Sequence, residues 1–271
     1  MNSSPEQSPA YRQPPDRLRQ FIAVFTVLGS FIVNLLSNLY PINGQNIGAI
    51  SNTLFGDVLI TPANYAFAIW GLIYIGLLAF AVYQFLSPAE QHPQLQSITY
   101  WFLLASLAQG VWVYLFLARQ FGWSVLAMLI ILGSLIAIFL QLHSHKRASW
   151  KERWLLRYPF GVYLGWIAVA TVVNVAIALY GANWNGWGIA PEIWTVVMMV
   201  VAAALAAALL WQYRSFPYAF VALWALVAIA IRQADVPLIQ VTGWVLVALL
   251  GGLVAYTFRR KPRLAKADYN A

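Results

Sequence analysis

Polar and apolar positions in this chain fall into long blocks. Apolar runs of 17 to 23 residues occupy 21–40, 64–86, 98–118, 121–142, 158–180, 191–212, 216–232 and 236–258, with short polar breaks between them. A helix needs about 20 such residues to cross a bilayer, so the pattern predicts eight spans, of which 216–232 is the shortest. The runs are too long for barrel strands, which use roughly ten alternating residues. The third and fourth runs meet at Arg119-Gln120, which predicts a tight antiparallel hairpin. Residues 1–20 are polar and carry Pro5, Pro9, Pro14 and Pro15, which predicts a disordered basic arm. The first run ends Asn34-Leu-Leu-Ser-Asn-Leu-Tyr40 with no small-x-small cleavage site, so it reads as an uncleaved span. Residues 41–61, rich in Gly, Asn, Ser and Pro, predict a loop.

Composition narrows the class. Of 271 residues, 62% are hydrophobic and 9% charged, against roughly 25% charged in soluble domains. A soluble enzyme, a disordered chain, collagen and a coiled coil are excluded, and an all-α polytopic membrane protein remains. With no cysteine, disulfides, thiolate metal sites and cysteine nucleophiles are excluded too. The net charge of +8 sharpens the topology. With the N-terminus on the cytoplasmic side, fourteen of the 16 Lys and Arg fall on that side; only Arg119 and Arg232 fall opposite. A seven-span arrangement would misplace one of the basic segments, 146–157 or 259–266. The expectation is therefore eight spans with both termini cytoplasmic, in a bacterial inner membrane. The charge is a topology code and predicts no nucleic-acid partner.

No Asp, Glu, Lys or Arg lies in the middle of a span, which argues against ion pumps, proton-driven antiporters and voltage sensors. Arg232 and Asp235 read as a local interfacial pair. His143 and His145 have His-x-His spacing but read as a solvated helix end, and no metal site or catalytic constellation is visible. Gly251-Gly252 and the pair Gly161 and Gly165 read as sites of close helix packing. The positive signal is aromatic: Phe, Trp and Tyr make up 15% of the chain. Trp123, Trp150, Trp154, Trp184 and Trp187 lie near span ends, as in interfacial belts. Trp70, Trp112 and Trp166 lie inside their spans. Gln109 stands three residues before Trp112; Ala170 and Asn174 stand four and eight after Trp166, so each set shares a helix face. A buried indole N–H needs an acceptor, which Gln109 and Asn174 could supply. Two readings stay open: an aromatic pocket for a flat hydrophobic ligand, or interhelical ties that merely hold the bundle together.

Three blocks carry a family resemblance. Residues 62–74 read Pro62-Ala-Asn-Tyr-Ala-Phe-Ala-Ile-Trp70-Gly-Leu-Ile-Tyr74, and 107–123 contain Gln109, Trp112, Phe116, Arg119, Gly122 and Trp123. Residues 158–174 contain Tyr163-Leu-Gly-Trp166 and Ala170-Thr-Val-Val-Asn174. Together they resemble the TspO/MBR family of translocator proteins, peripheral benzodiazepine receptors and tryptophan-rich sensory proteins. The resemblance covers about residues 21 to 182 and implies a five-helix bundle. It divides the chain into a basic arm (1–20), the TspO-like bundle (21–182), a three-helix transmembrane extension (183–258) and a basic cytoplasmic tail (259–271). It implies binding of porphyrins, with sterols and synthetic aromatic ligands in some members, in a pocket among the second, third and fifth helices under the first loop. By position, Trp70, Tyr74, Gln109, Trp112, Trp166, Ala170 and Asn174 fall on the family's pocket and motif positions. The chain departs from the family in having Thr61-Pro62 where a Pro-Pro pair is usual, no Trp in residues 41–61, and Gln109 in place of Asn.

The leading expectation is a protein that binds, senses or transports a tetrapyrrole or similar ligand. The alternatives are an enzyme that degrades porphyrin with light and oxygen, and a scaffold without a small ligand. No cofactor is required, a porphyrin or haem-like tetrapyrrole being the ligand. The expected partners are the lipid bilayer and a hydrophobic small molecule of porphyrin or sterol class. The packing-friendly run 202–209 adds tight helix association, as in a homodimer.

Overall fold

A computed structural model describes residues 16–86, 94–144 and 148–260. The chain runs through α1 (Asp16–Leu39), a 3-10 turn Ile42–Gly44, α2 (Ile47–Thr53), a second such turn Asn64–Ala68, and α3 (Ile69–Leu86). It continues through α4 (Gln94–Leu117), α5 (Phe121–His143) and the short α6 (Trp150–Glu152), which passes by a π-helical turn Arg153–Arg157 into α7 (Tyr158–Gly181). After the turn Gly186–Gly188 come α8 (Pro191–Tyr213), α9 (Phe216–Arg232) and α10 (Pro237–Arg259). Among the described residues there is no strand. This follows from lipid as solvent: a helix satisfies its backbone groups internally, and an open strand does not.

Among the described residues seven helices are long and apolar enough to cross a membrane, and α9, at 17 residues, is a shorter apolar helix beside them. The expected boundaries hold within a few residues, with two informative differences. α1 and α4 begin several residues before their apolar runs, because Asp16–Gln20 and Gln94–Ser97 extend the helices as polar turns. The expected loop 41–61 contains α2, whose Asn46 side chain accepts the Ala49 N–H at 2.8 Å and so caps the helix. Tight connections come from left-handed residues: Arg119 (φ 60°) closes the α4–α5 hairpin, and Arg214 (φ 52°) closes the turn into α9. In the first, Gln120 N–H donates to Leu115 C=O at 2.8 Å, which satisfies a carbonyl left over at the helix end. The tail from residue 261, most of the basic arm, and His145 lie outside the described residues.

α1, α3, α7, α5 and α4 pack in that order into a closed ring, with α4 returning to α1. At the basic end the ring is solid: Phe80, Phe102 and Phe160 meet edge to face at centroid distances of 5.4, 5.0 and 5.9 Å. α9 lies outside the ring against α7, and α8 and α10 pack on α9. Small residues make that docking close. A Cβ on Gly165 would stand 3.0 Å from Val221 Cβ, one on Gly161 3.2 Å from Pro217 Cβ, and one on Gly243 2.8 Å from Ala230 Cβ. The Gly251-Gly252 expectation is corrected: both face open space, with nothing within 4 Å. Side chains such as Phe25, Leu107 and Leu249 are exposed on the outer surface, where they face lipid. Trp123, Trp150, Trp154 and Trp187 are exposed near helix ends.

Substitution Gly165→Leu should push α9 off α7 and destabilise the protein by about 1–3 kcal/mol, the usual scale of overpacking. A lowered thermal midpoint in detergent checks this, and Gly252→Ala should leave the midpoint no lower than that of the parent.

Candidate functional site

Above the phenylalanine floor the ring is hollow. A cavity of about 520 Å³ opens toward the loop end and takes wall residues from all five ring helices, from α2 and from residues 62–64. Among the described residues none beyond Ile177 lines it, so α8, α9 and α10 contribute nothing to its wall. Of the seven positions singled out from the sequence, Trp70, Gln109, Trp112, Trp166, Ala170 and Asn174 line this cavity. Tyr74 does not. It sits behind the wall, stacked on Trp70 at 5.9 Å, and its hydroxyl donates to Ser30 C=O on α1 at 3.2 Å.

The aromatic half of the wall is braced from outside and across. Trp166 meets Phe67 edge to face at 5.8 Å, and Trp70 meets Tyr163 at 6.1 Å. Trp112 packs on Phe116 at 5.3 Å. Of the two amides expected to accept from an indole, Asn174 does so, and Gln109 accepts from a tyrosine instead. Trp112 Nε1 donates to Asn174 Oδ1 across the ring, and Tyr163 hydroxyl donates to Gln109 Oε1. Both acceptors stand on the helix opposite their donor. Asn174 Nδ2 also donates to Ser124 Oγ at 2.9 Å, and Ser124 Oγ reaches Phe121 C=O at 2.7 Å. One amide thus joins α4, α5 and α7 while it faces the cavity. The two readings of Asn174, tie and pocket group, describe the same atoms.

Sequence reasoning missed the amide half of the wall: Asn34 and Asn38 on α1, and Asn46, Asn52 and Asn64 around α2. The signal was present as an i, i+4 pair of asparagines in an otherwise apolar span, followed by an asparagine-rich loop. Among the described residues, the amide nitrogens of Asn34, Asn46 and Asn64 and the indole nitrogens of Trp70 and Trp166 have no protein acceptor.

The loop over the cavity is fastened on both sides. Toward the ring, Asn43 Nδ2 donates to Leu117 C=O at 3.3 Å, Arg119 to Gln45 at 3.2 Å, and Phe55 packs on Phe121 at 4.8 Å. Toward the extension, Ala63 N–H donates to Ala228 C=O and Trp224 Nε1 to Ala66 C=O, both at 3.1 Å, and Gln233 Nε2 to Leu59 C=O at 2.9 Å. The expected Arg232–Asp235 pair is replaced. Arg232 donates to Asn52 Oδ1 and to Pro62 C=O, because the loop offers it uncovered oxygens at the helix end. His143, expected to be solvated, is half-buried: its ring stacks on Phe139 at 4.1 Å, and its Nδ1 lies 2.8 Å from Phe139 C=O.

The family model described as TSPO-like protein matches residues 20–256. The chain belongs to this TSPO-like family. The resemblance drawn from the three sequence blocks is borne out, and the match runs past residue 182 into α10. The last three helices, which the sequence blocks left unmatched, are therefore part of the family pattern. Comparison with curated proteins and with solved structures finds no match. Family and helices together make this TSPO-like chain a multi-pass integral membrane protein in a lipid bilayer.

Removing Asn174 by Asn174→Ala leaves the Trp112 N–H without its acceptor, which should cost about 1–3 kcal/mol. Thermal unfolding in detergent measures it, and Ser124→Ala, which spares the Trp112 bond, should cost less.

Proposed function

We propose that this TSPO-like protein binds, senses or transports a flat hydrophobic ligand of the tetrapyrrole class in the cavity among its second, third and fifth spans. The observation that carries the reading is the cavity itself. Its volume of about 520 Å³ lies within the roughly 300–1,000 Å³ of small-molecule sites. Trp70, Trp112 and Trp166 give it faces on which a planar ring can stack, and Ala170 leaves room between them. A bundle that only packs would have no reason to keep this space empty of side chains. Saturable tryptophan quenching by protoporphyrin in detergent is the expected result. The Trp70→Ala, Trp166→Ala double variant should bind at least about tenfold more weakly, a loss of ~1.4 kcal/mol. Unchanged affinity would overturn the reading.

The same proposal includes eight crossings with both ends on the cytoplasmic side of a bacterial plasma membrane. Its support is the course of α9. Its start lies beside Gly161 near the start of α7, and its end reaches Asn52 over the far end of the ring. Seventeen helical residues extend about 26 Å, close to the hydrocarbon thickness of about 30 Å. The chain has no cysteine, so single labels are clean. Ser144→Cys and Arg260→Cys should react with an impermeant maleimide from one side of the membrane and Ala182→Cys from the other. A seven-crossing chain would separate 144 from 260.

A further inference from the structure

Arg232 sits outside the cavity wall and, together with the Gly48 carbonyl, sets the orientation of a group on that wall. A guanidinium can only donate, so Asn52 must turn its Oδ1 toward Arg232. Asn52 Nδ2 then faces the other way, where it donates to Gly48 C=O at 2.8 Å and to Asn64 Oδ1 at 3.3 Å. The carbonyl of Gly48 can only accept, which fixes the same orientation independently. Asn64 has its oxygen occupied, and its Nδ2 is left as a donor at the mouth of the cavity. Gly48 makes the approach feasible, since a Cβ there would stand 3.2 Å from Asn64 Oδ1.

The rest of the wall agrees in sign. Its unspent groups are mainly donors: the amide nitrogens of Asn34 and Asn46 and the indole nitrogens of Trp70 and Trp166. Among the described residues no Asp, Glu, Lys, Arg or His lines it. A buried carboxylate would find no countercharge there, and burying an unpaired charge is costly. A neutral acceptor would meet ready donors at no such cost.

We propose that Asn64 reads a neutral hydrogen-bond acceptor, a carbonyl or ester oxygen, on the rim of the ligand, and that Asn52, held in one orientation by Arg232 and by the Gly48 carbonyl, is the positioning residue that keeps Asn64 a donor. The proposal rests on the cavity being a ligand site, and its test separates the two. The probes are protoporphyrin dimethyl ester and octaethylporphyrin, two porphyrins of which only the first has rim acceptors, titrated by tryptophan quenching in detergent. The parent protein should bind the diester about tenfold more tightly, which is ~1.4 kcal/mol. Asn64→Leu and Asn52→Leu should each bring the two affinities together by weakening the diester. Arg232→Lys, still a pure donor, should keep the preference. Equal affinities in the parent, a variant that weakens both porphyrins alike, or tighter binding of the free diacid than of its diester would each overturn the proposal and leave the ligand site standing. If neither porphyrin quenches saturably, the ligand site falls, and this proposal with it.

Discussion

In hydrocarbon a polar group has no water to fall back on, so each one must find its partner inside the protein. That constraint organises this structure from backbone to cavity. It selects helices, closes the α4–α5 hairpin with a carbonyl-capping bond, and keeps charges at the ends of the spans. It also explains where the few internal polar groups sit. Asn174 bonds Trp112 and Ser124 on two other helices, and Gln109 accepts from Tyr163. Each of these amides joins helices because in lipid the alternative is an unpaired group.

The ring is divided by the same logic into a solid half and a hollow half. Phe80, Phe102 and Phe160 need no polar partners and pack the basic end, where Gln84 and Thr99 bond each other. At the loop end the ring is lined with indoles and amides, which leave donors unspent. A cavity edged by unsatisfied donors is stable only if water or a ligand completes them. The position of the loop follows: α2 and residues 62–64 form the cavity's upper wall, and bonds to both the ring and the extension hold them there.

How much of this was legible in the sequence depends on the range of each interaction. Span positions were legible because a bilayer demands about 20 apolar residues whatever the tertiary contacts. Six of the seven singled-out residues reached one wall, since periodicity on single helices and the motif blocks put them on inward faces. Pairings across the ring were not legible. Trp112 finds Asn174, 62 positions away, and nothing local distinguishes that partner from Gln109. The α2 helix was hidden because seven residues with Gly, Ser and Asn carry little propensity, and only the Asn46 cap betrays it. Gly251-Gly252 and Gly161 look alike in sequence, yet only the second meets a neighbouring helix. Which face of a helix is covered is decided by its partners.

The extension is best understood through the length of α9. Its glycine-lined seat on α7 fixes its height, because Gly161 and Gly165 admit Pro217 and Val221 at one register. With that register set, the 17-residue helix ends where its last residue, Arg232, meets Asn52 and the Pro62 carbonyl. One further turn would add about 5.4 Å and carry the guanidinium past the loop. A longer helix would span the bilayer more comfortably and lose the contact. The half-buried arginine is tolerated there because an amide and a carbonyl oxygen both accept from its Nη1. Three helices that contribute nothing to the cavity wall are in this way coupled to the loop that forms part of it. The coupling runs through a packing register at one end of α9 and a charge at the other.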